Sequence, residues 1–391
     1  PLEKLARITE RFEYLEARLS AGAGDLAQQG REYADLKPVV AEIAAYRQAL
    51  ARRLDPSAGL LQRISLAVRA EKKRIVFAEG EEPAVIRAAY AFQSQGLGHA
   101  ILVGREEQVA ENMRAVGLPE DSGLAVINAR LTDRNPAYVD FLYPRLQREG
   151  YLLRDVQRLV NNDRNVFSAC MVALGDADGM VTGVTRHFDI ALRDVRLAID
   201  PNPGERVMGL SVVLSRGQTL FIADTTVAEF PSAEDLADIA CEAAAAVERL
   251  GFTPRVAFAS YSTFGQPEGE RAGKMRDAAR LLDARGVDFE YEGELAVDVA
   301  LDADHRKVYP FSRLTEPANV LIMPAIHSAS IASKLLGAAG GATTIGPLLL
   351  GLSKSVQICR LGAPVSDIVT MAAAAAYRFS DAAARTGGNG A

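Results

Sequence analysis

The stretch RVAFASYSTFG, residues 255–265, is an apolar run that ends in hydroxyls, Ser260, Tyr261, Ser262 and Thr263, closed by Gly265. Apolar runs bounded by turn residues read as buried strands, and ligands of α/β folds gather where such strands end. One reading is therefore a pocket lined with hydroxyls; the other is that Ser, Thr and Gly simply make good turns. GVTRHFD places Arg186 and His187 just past another strand end, where an anion could sit, unless they open a solvated helix. Arg164 in NNDRNVF is a lesser candidate of the same kind. Cys170, Cys241 and Cys359 lie far apart without C-x-x-C spacing, and His99, His187, His305 and His327 are equally scattered. No metal site is expected, and the thiols are expected to be reduced.

The elements that must position these residues alternate along the chain. RIVFA (74–78), HAILVG (99–104), GLAVIN (123–128) and GMVTG (179–183) are short apolar runs separated by helical stretches such as EEPAVIRAAYAFQSQG. VMGLSVVLS, TLFIAD, RVAFAS, VDFEYEG and NVLIMP form a second series. This grammar predicts an α/β protein with two α/β/α units and mainly parallel sheets. The helix between TLFIAD and RVAFAS opens with Ser232 and Asp235 at capping-box spacing and carries Leu236, Ile239, Ala243 and Val247 on one stripe. Ahead of the first strand, Leu2, Leu5, Ile8, Phe12, Leu15 and Leu19 recur at helical steps, AGAGD breaks the pattern, and Tyr33, Leu36, Val40, Ile43, Leu50 and Leu54 resume it. That spacing predicts an α-helical hairpin. The C-terminal TGGNGA reads as frayed.

With 391 residues, 49% of them hydrophobic, the chain can bury two or three cores. A net charge of -6 with no long basic run argues against nucleic-acid binding through a basic surface. No segment is of signal-peptide type and none reaches the ~18 uncharged apolar residues of a membrane span, so the expected location is cytoplasmic.

The order IVFAEGEE, GDADGMVTG, TLFIADTTV, PSAEDLADIA, RVAFASYSTFG, NVLIMPAIHSASIASKLL, TIGPLLLGLSKSV and PVSDIVTMAA resembles phosphate acetyltransferase, the enzyme family that exchanges CoA and phosphate on an acetyl group. From about residue 45 the chain is similar to the phosphotransacetylase-like C-terminal domain of bacterial hybrid NADP-dependent malic enzymes, with AYRQALARRLDPSAGLLQRI as the junction. Residues 1–44 resemble the N-terminal helical region of bacterial peptide chain release factor 1, which implies a chimera, although the release factor's GGQ tripeptide is absent. The resemblance implies a helical hairpin at 1–54, a first domain of 58–190 plus 345–391, and a second of 191–344. No GxGxxG follows a strand and no acidic metal cluster occurs, so NADP and a divalent metal are expected only in a malic enzyme domain that this chain lacks.

The same resemblance implies a site. Ser260, Ser262, Thr263 and Gly265, together with the stretch 344–352, would line a cleft for CoA or acetyl-CoA. Thr344 would face it, while Gly346, Pro347 and Gly351 let backbone approach a bulky ligand, unless TTIGP is merely a tight turn. Arg186 is a further candidate anion ligand. In VQICRLGAPVSDIV, residues 356–369, Asp367 matches the family's proposed base toward CoA. The ungapped register puts Arg360 and Leu361 at the family's Ser-Arg pair, and a one-residue shift puts Cys359 and Arg360 there; either way the serine hydroxyl is missing. Ala228, Glu229 and Phe230 likewise replace an Asn-Pro-Asn run, or form a variable surface turn. The implied function is acetyl-CoA binding, regulation and oligomerisation within a malic enzyme, without acetyl transfer; the alternative is an active phosphate acetyltransferase. Self-association is expected through helices at 232–249 and 327–338, whose small side chains suit close packing.

Overall fold

The computed structural model describes residues 8, 11–18, 28, 29, 31–40, 57–119, 122–215 and 218–377. Two compact units are present, one drawn from residues 1–59 and 216–218, the other from 60–215 and 219–391. In the first, residues 11–18 and 31–40 are helical, and the pair is joined by an Arg11–Glu32 ion pair at 2.8 Å and by stacking of Phe12 on Tyr33 at 4.6 Å. Leu2, Leu5, Leu19, Ile43, Leu50, Leu54 and the TGGNGA tail lie outside the described residues.

The second unit holds two sheets. The first has the order β11-β4-β1-β2-β3, with β1 Lys73–Phe77, β2 Gly98–Val103, β3 Ala125–Ile127, β4 Gly179–Thr182 and β11 Ser355–Ile358, every pairing parallel. The second has the order β10-β5-β6-β9-β7-β8, with β5 Met208–Ser215, β6 Gln218–Ala223, β7 Arg255–Ser260, β8 Glu290–Ala296, β9 Val320–Ile322 and β10 Thr343–Leu350. β6, β9, β7 and β8 pair in parallel, whereas β10 runs antiparallel to β5. The strands are continuous apolar runs because helices cover both faces; all four residues of β4 are buried, as are all of β5 but its last. The helix Ala233–Arg249 starts where the sequence spacing puts it, with reciprocal Ser232–Asp235 bonds at 2.9 and 3.1 Å.

Two strands were not expected. TTIGPLLL, expected to line a cleft or to make a tight turn at TTIGP, forms β10; SVQI, which overlaps the candidate site motif, forms β11. The expected boundary at 344/345 thus falls inside β10, and the one at 190/191 falls inside the helix Phe188–Arg196. That helix packs Ala191, Leu192 and Val195 into the first sheet's core beside Val76 and Ile358. A second apolar cluster runs without a break from Ile75 and Phe77 through Val181 to Met208, Leu210 and Phe221, so the two sheets share a core.

Where the sheets meet, one side chain bridges them. Gln357 on β11 is buried; its Oε1 accepts from the Leu349 N–H at 2.9 Å and its Nε2 donates to the Leu349 carbonyl at 3.1 Å. The amide thereby supplies β10 with the partner that an adjacent strand would have given. Gln357→Leu keeps the volume but strands two buried backbone groups, at about 1–3 kcal/mol each. The expected outcome is a loss of about 2–6 kcal/mol in urea unfolding with an unchanged native far-ultraviolet spectrum.

Candidate functional site

Beyond Gln357 the end of β11 delivers Cys359 and Arg360 to a cleft of about 190 Å³. Its other walls are Thr343, Thr344, Ile345 and Gly346 of β10, and Ser366, Asp367 and Thr370 of the helix Val365–Tyr377. Gly346 takes φ 105°, and a Cβ there would stand 2.6 Å from the Leu348 nitrogen, so the bend of β10 at this wall requires glycine. Arg360 Nη2 lies 3.0 Å from Asp367 Oδ2, with both side chains substantially exposed. Ser366 Oγ donates to the other carboxylate oxygen at 3.3 Å. Cys359 differs in kind: it is only 2% exposed, and burial pushes its thiol up, helped by the charges of Glu79 and Asp367. The thiol is protonated at neutral pH and is not a nucleophile. Leu361 is exposed and does not line the cleft, whereas Cys359 and Arg360 do.

The strand-end hydroxyls have a different occupation. Ser262 is fully buried and its Oγ donates to Glu294 Oε1 at 2.8 Å. The Gly265 N–H reaches the same oxygen at 2.7 Å, and Arg276 grips both carboxylate oxygens at 2.8 and 3.0 Å. Ser260 Oγ accepts from the Ser262 N–H at 3.2 Å, and Thr263 Oγ1 accepts from the Ala296 N–H at 3.0 Å. Thr263 and Gln266 exchange backbone bonds across a tight turn. These residues serve the turn that ties β7 to β8, and none of Ser260, Ser262, Thr263 and Gly265 lines the Cys359 cleft.

Arg186 also departs from its expected use. Its Nη1 bonds Asp163 at 2.7 Å and Asp194 at 2.8 Å, so it ties the start of the helix Arg164–Ala173 to the helix Phe188–Arg196. Gly351 packs against backbone, since a Cβ there would meet the Arg206 carbonyl at 2.1 Å, and neither it nor Pro347 lines the cleft. Glu229 and Phe230 are exposed in a turn whose preceding amides, at Thr226, Val227 and Ala228, are gathered by the buried Asp224. Among the described residues no group of His, Cys, Asp and Glu is arranged to hold a metal ion, and no helix is long and apolar enough to cross a membrane.

The family model for phosphate acetyl/butaryl transferases matches residues 59–376. The chain belongs to that family. Among similar proteins, an NADP-dependent malic enzyme of Rhizobium meliloti is 56% identical over 90% of this chain, and a phosphate acetyltransferase of Deinococcus radiodurans is 31% identical over 90%. The chain spans about half the length of these relatives, 46% of the first and 50% of the second. A phosphotransacetylase structure from Streptococcus pyogenes superposes with TM-score 0.76 at 27% identity, covering 81% of this chain and 97% of that one. The resemblance of residues 1–44 to a release factor has no support from these comparisons.

Two carboxylates at strand ends, Glu79 and Glu81, went unnoticed in the sequence although they follow β1 directly in FAEGEE. Glu79 accepts from the amides of Val184 and Thr185 at 2.8 and 2.9 Å, which closes the crevice between β1 and β4 where the strand order of this family member reverses. The signal that could have found them is the strand-end rule itself, applied to β1 as it was to β7.

Burial would raise the Glu294 carboxyl, but the bonds from Arg276, Ser262 and Gly265 more than offset it and hold it at about 2. A carboxyl depressed on folding contributes stability above its unfolded value near 4.5 and loses it as pH falls toward 2. Arg276→Gln removes the main support. The expected cost is about 2–3 kcal/mol at neutral pH, less than for a fully buried pair because Arg276 is 33% exposed. The acid limb of the stability curve should move to higher pH, as read by urea unfolding between pH 3 and 7.

Proposed function

We propose that this chain is the acetyl-CoA-binding regulatory and oligomerisation domain of an NADP-dependent malic enzyme, and that it does not turn over acetyl groups. The observation that carries the reading is the cleft position beside Arg360, where a buried, protonated thiol replaces the hydroxyl that the family resemblance leads one to expect. Catalysis requires donors that strengthen at the transition state, and a buried thiol is a weak donor; binding requires only a shaped surface. The 56% identity to a malic enzyme about twice as long supports the context, in which NADP and a divalent metal would belong to the other half.

A cleft of about 190 Å³ is smaller than the roughly 300–1,000 Å³ typical of small-molecule sites, so it suits the thioester end of acetyl-CoA rather than the whole molecule. For self-association the helix Ile326–Ala338 is the better of the two expected faces. It exposes Ile331 and Leu335 one turn apart, whereas Ala233–Arg249 spends its stripe on the chain's own core.

The second reading, an active phosphate acetyltransferase, is favoured by one fact: Arg360 and Asp367 share the cleft. Equilibrium binding of labelled acetyl-CoA, together with the thioester absorbance on mixing acetyl phosphate and CoA, separates the two. Saturable binding without turnover is expected. Cys359→Ser restores a hydroxyl, and one such donor is typically worth ~10²- to 10³-fold in rate; the variant should gain measurable transfer with unchanged acetyl-CoA affinity. Transfer by the unaltered chain that Asp367→Ala abolishes would establish the second reading instead.

A further inference from the structure

We propose that the C-terminal ends of β1, β2 and β3 form a separate site for a small phosphate monoester, independent of the Cys359 cleft. A cavity of about 220 Å³ opens there, bounded by Glu81 after β1, Arg105 after β2, Arg130 after β3 and Arg164 at the start of the helix Arg164–Ala173. Three guanidinium groups against one carboxylate leave a surplus of two positive charges, the complement of a phosphate monoester dianion.

Glu81 organises the cations rather than cancelling them. Its side chain is 9% exposed, and it takes Arg105 through both oxygens at 3.0 and 3.1 Å and Arg164 at 2.7 Å. Burial would raise its carboxyl, yet the Arg105 bonds and the Arg164 charge hold it at about 2, so it stays ionised and the two guanidinium groups stay in place. Arg130 is different. Its Nη2 donates to Asn162 Oδ1 at 2.6 Å, and among the described residues it has no carboxylate partner. A planar fork with free donors at the rim of a cationic cavity matches the oxygens of a phosphoryl group.

The helix Glu106–Ala115, whose N-cap is Arg105, starts at this cavity and adds its N-terminal partial charge to the positive potential, whereas the first amides of the helix Arg164–Ala173, which also starts here, are capped by the Asp163 carboxylate. Glu106 and Glu107 in the first turn of the former do not line it. At about 30 Å³ for each water in the liquid, the volume corresponds to roughly seven waters, which leaves space for a phosphoryl group and a short organic stem.

Calorimetric titration of the full chain at low salt, with glycerol 3-phosphate, inorganic phosphate and sulfate in separate arms, tests this. Saturable one-to-one binding of glycerol 3-phosphate is expected, tighter than inorganic phosphate, with sulfate weakest. Arg130→Gln should weaken it about tenfold or more, Arg130→Lys less, and both variants should unfold at the same urea concentration as the parent because Arg130 is exposed. Arg360→Gln should leave binding unchanged. Equal binding by the parent and Arg130→Gln, or no saturation at millimolar ligand, overturns the proposal. Loss on Arg360→Gln alone also overturns it and moves phosphate to the Cys359 cleft, while sulfate binding as tightly as the monoester would mean an adventitious ion only.

Discussion

Two hydrogen bonds from the buried amide of Gln357 fix the geometry on which the cleft depends. β10 and β11 are edge strands of different sheets, and an unpaired edge buried in the interior would leave backbone groups without partners. The Gln357 amide presents one donor to the carbonyl and one acceptor to the N–H of Leu349, as a neighbouring strand would. Cys359 and Arg360 follow Gln357 directly, and Thr343 to Gly346 precede Leu349 on the same strand. The amide therefore sets the separation of the two cleft walls, while the shared apolar core keeps the sheets from sliding.

The same economy recurs at the other strand ends, where a carboxylate collects backbone amides and fixes a loop. Glu79 holds Val184 and Thr185, Asp224 holds Gly209 and Thr226 to Ala228, and Glu294 holds Gly265. Arginines are in turn committed to carboxylates: Arg276 to Glu294, Arg186 to Asp163 and Asp194, and Arg105 and Arg164 to Glu81. A strand-end hydroxyl or cation in this chain is therefore first a structural partner. Arg130 differs from these in having no carboxylate partner among the described residues, and the Arg360–Asp367 pair differs in that both of its side chains are exposed.

Periodicity made the α/β grammar legible, because buried parallel strands such as GMVT and MGLSVVLS are continuous apolar runs that no helix pattern imitates at that length. It failed at TTIGPLLL, where glycine and proline announce a turn although the strand continues past a register shift between Ile345 and Leu348. The motif around Cys359 was found by resemblance, and its meeting with Thr344 and Asp367 in one cleft follows from topology that no local pattern encodes. The hydroxyls of Ser262 and Thr263 are engaged within the fold in a way that no local pattern encodes. A residue type shows what a side chain can bond, and the partner that claims it, here Glu294 for Ser262 and the Ala296 amide for Thr263, each some thirty positions away, is visible only after folding.

On the reading proposed above, the loss of transfer chemistry rests on Cys359 rather than on Arg360. The Arg360–Asp367 pair joins two exposed side chains, and pairs of that kind are typically worth no more than about 1 kcal/mol, so an anionic ligand or a thioester oxygen can recruit the guanidinium at small cost. The position just before Arg360 carries a thiol rather than a hydroxyl. The Cys359 backbone is held in place: its N–H donates to the Thr182 carbonyl at 2.7 Å, and Gly183 packs so close that a Cβ there would come within 2.6 Å of the Cys359 carbonyl. On the same reading, a buried, protonated thiol beside an exposed guanidinium leaves the cleft a cation for attraction and only a weak donor for rate enhancement, the combination that would separate recognition of a thioester from its transfer.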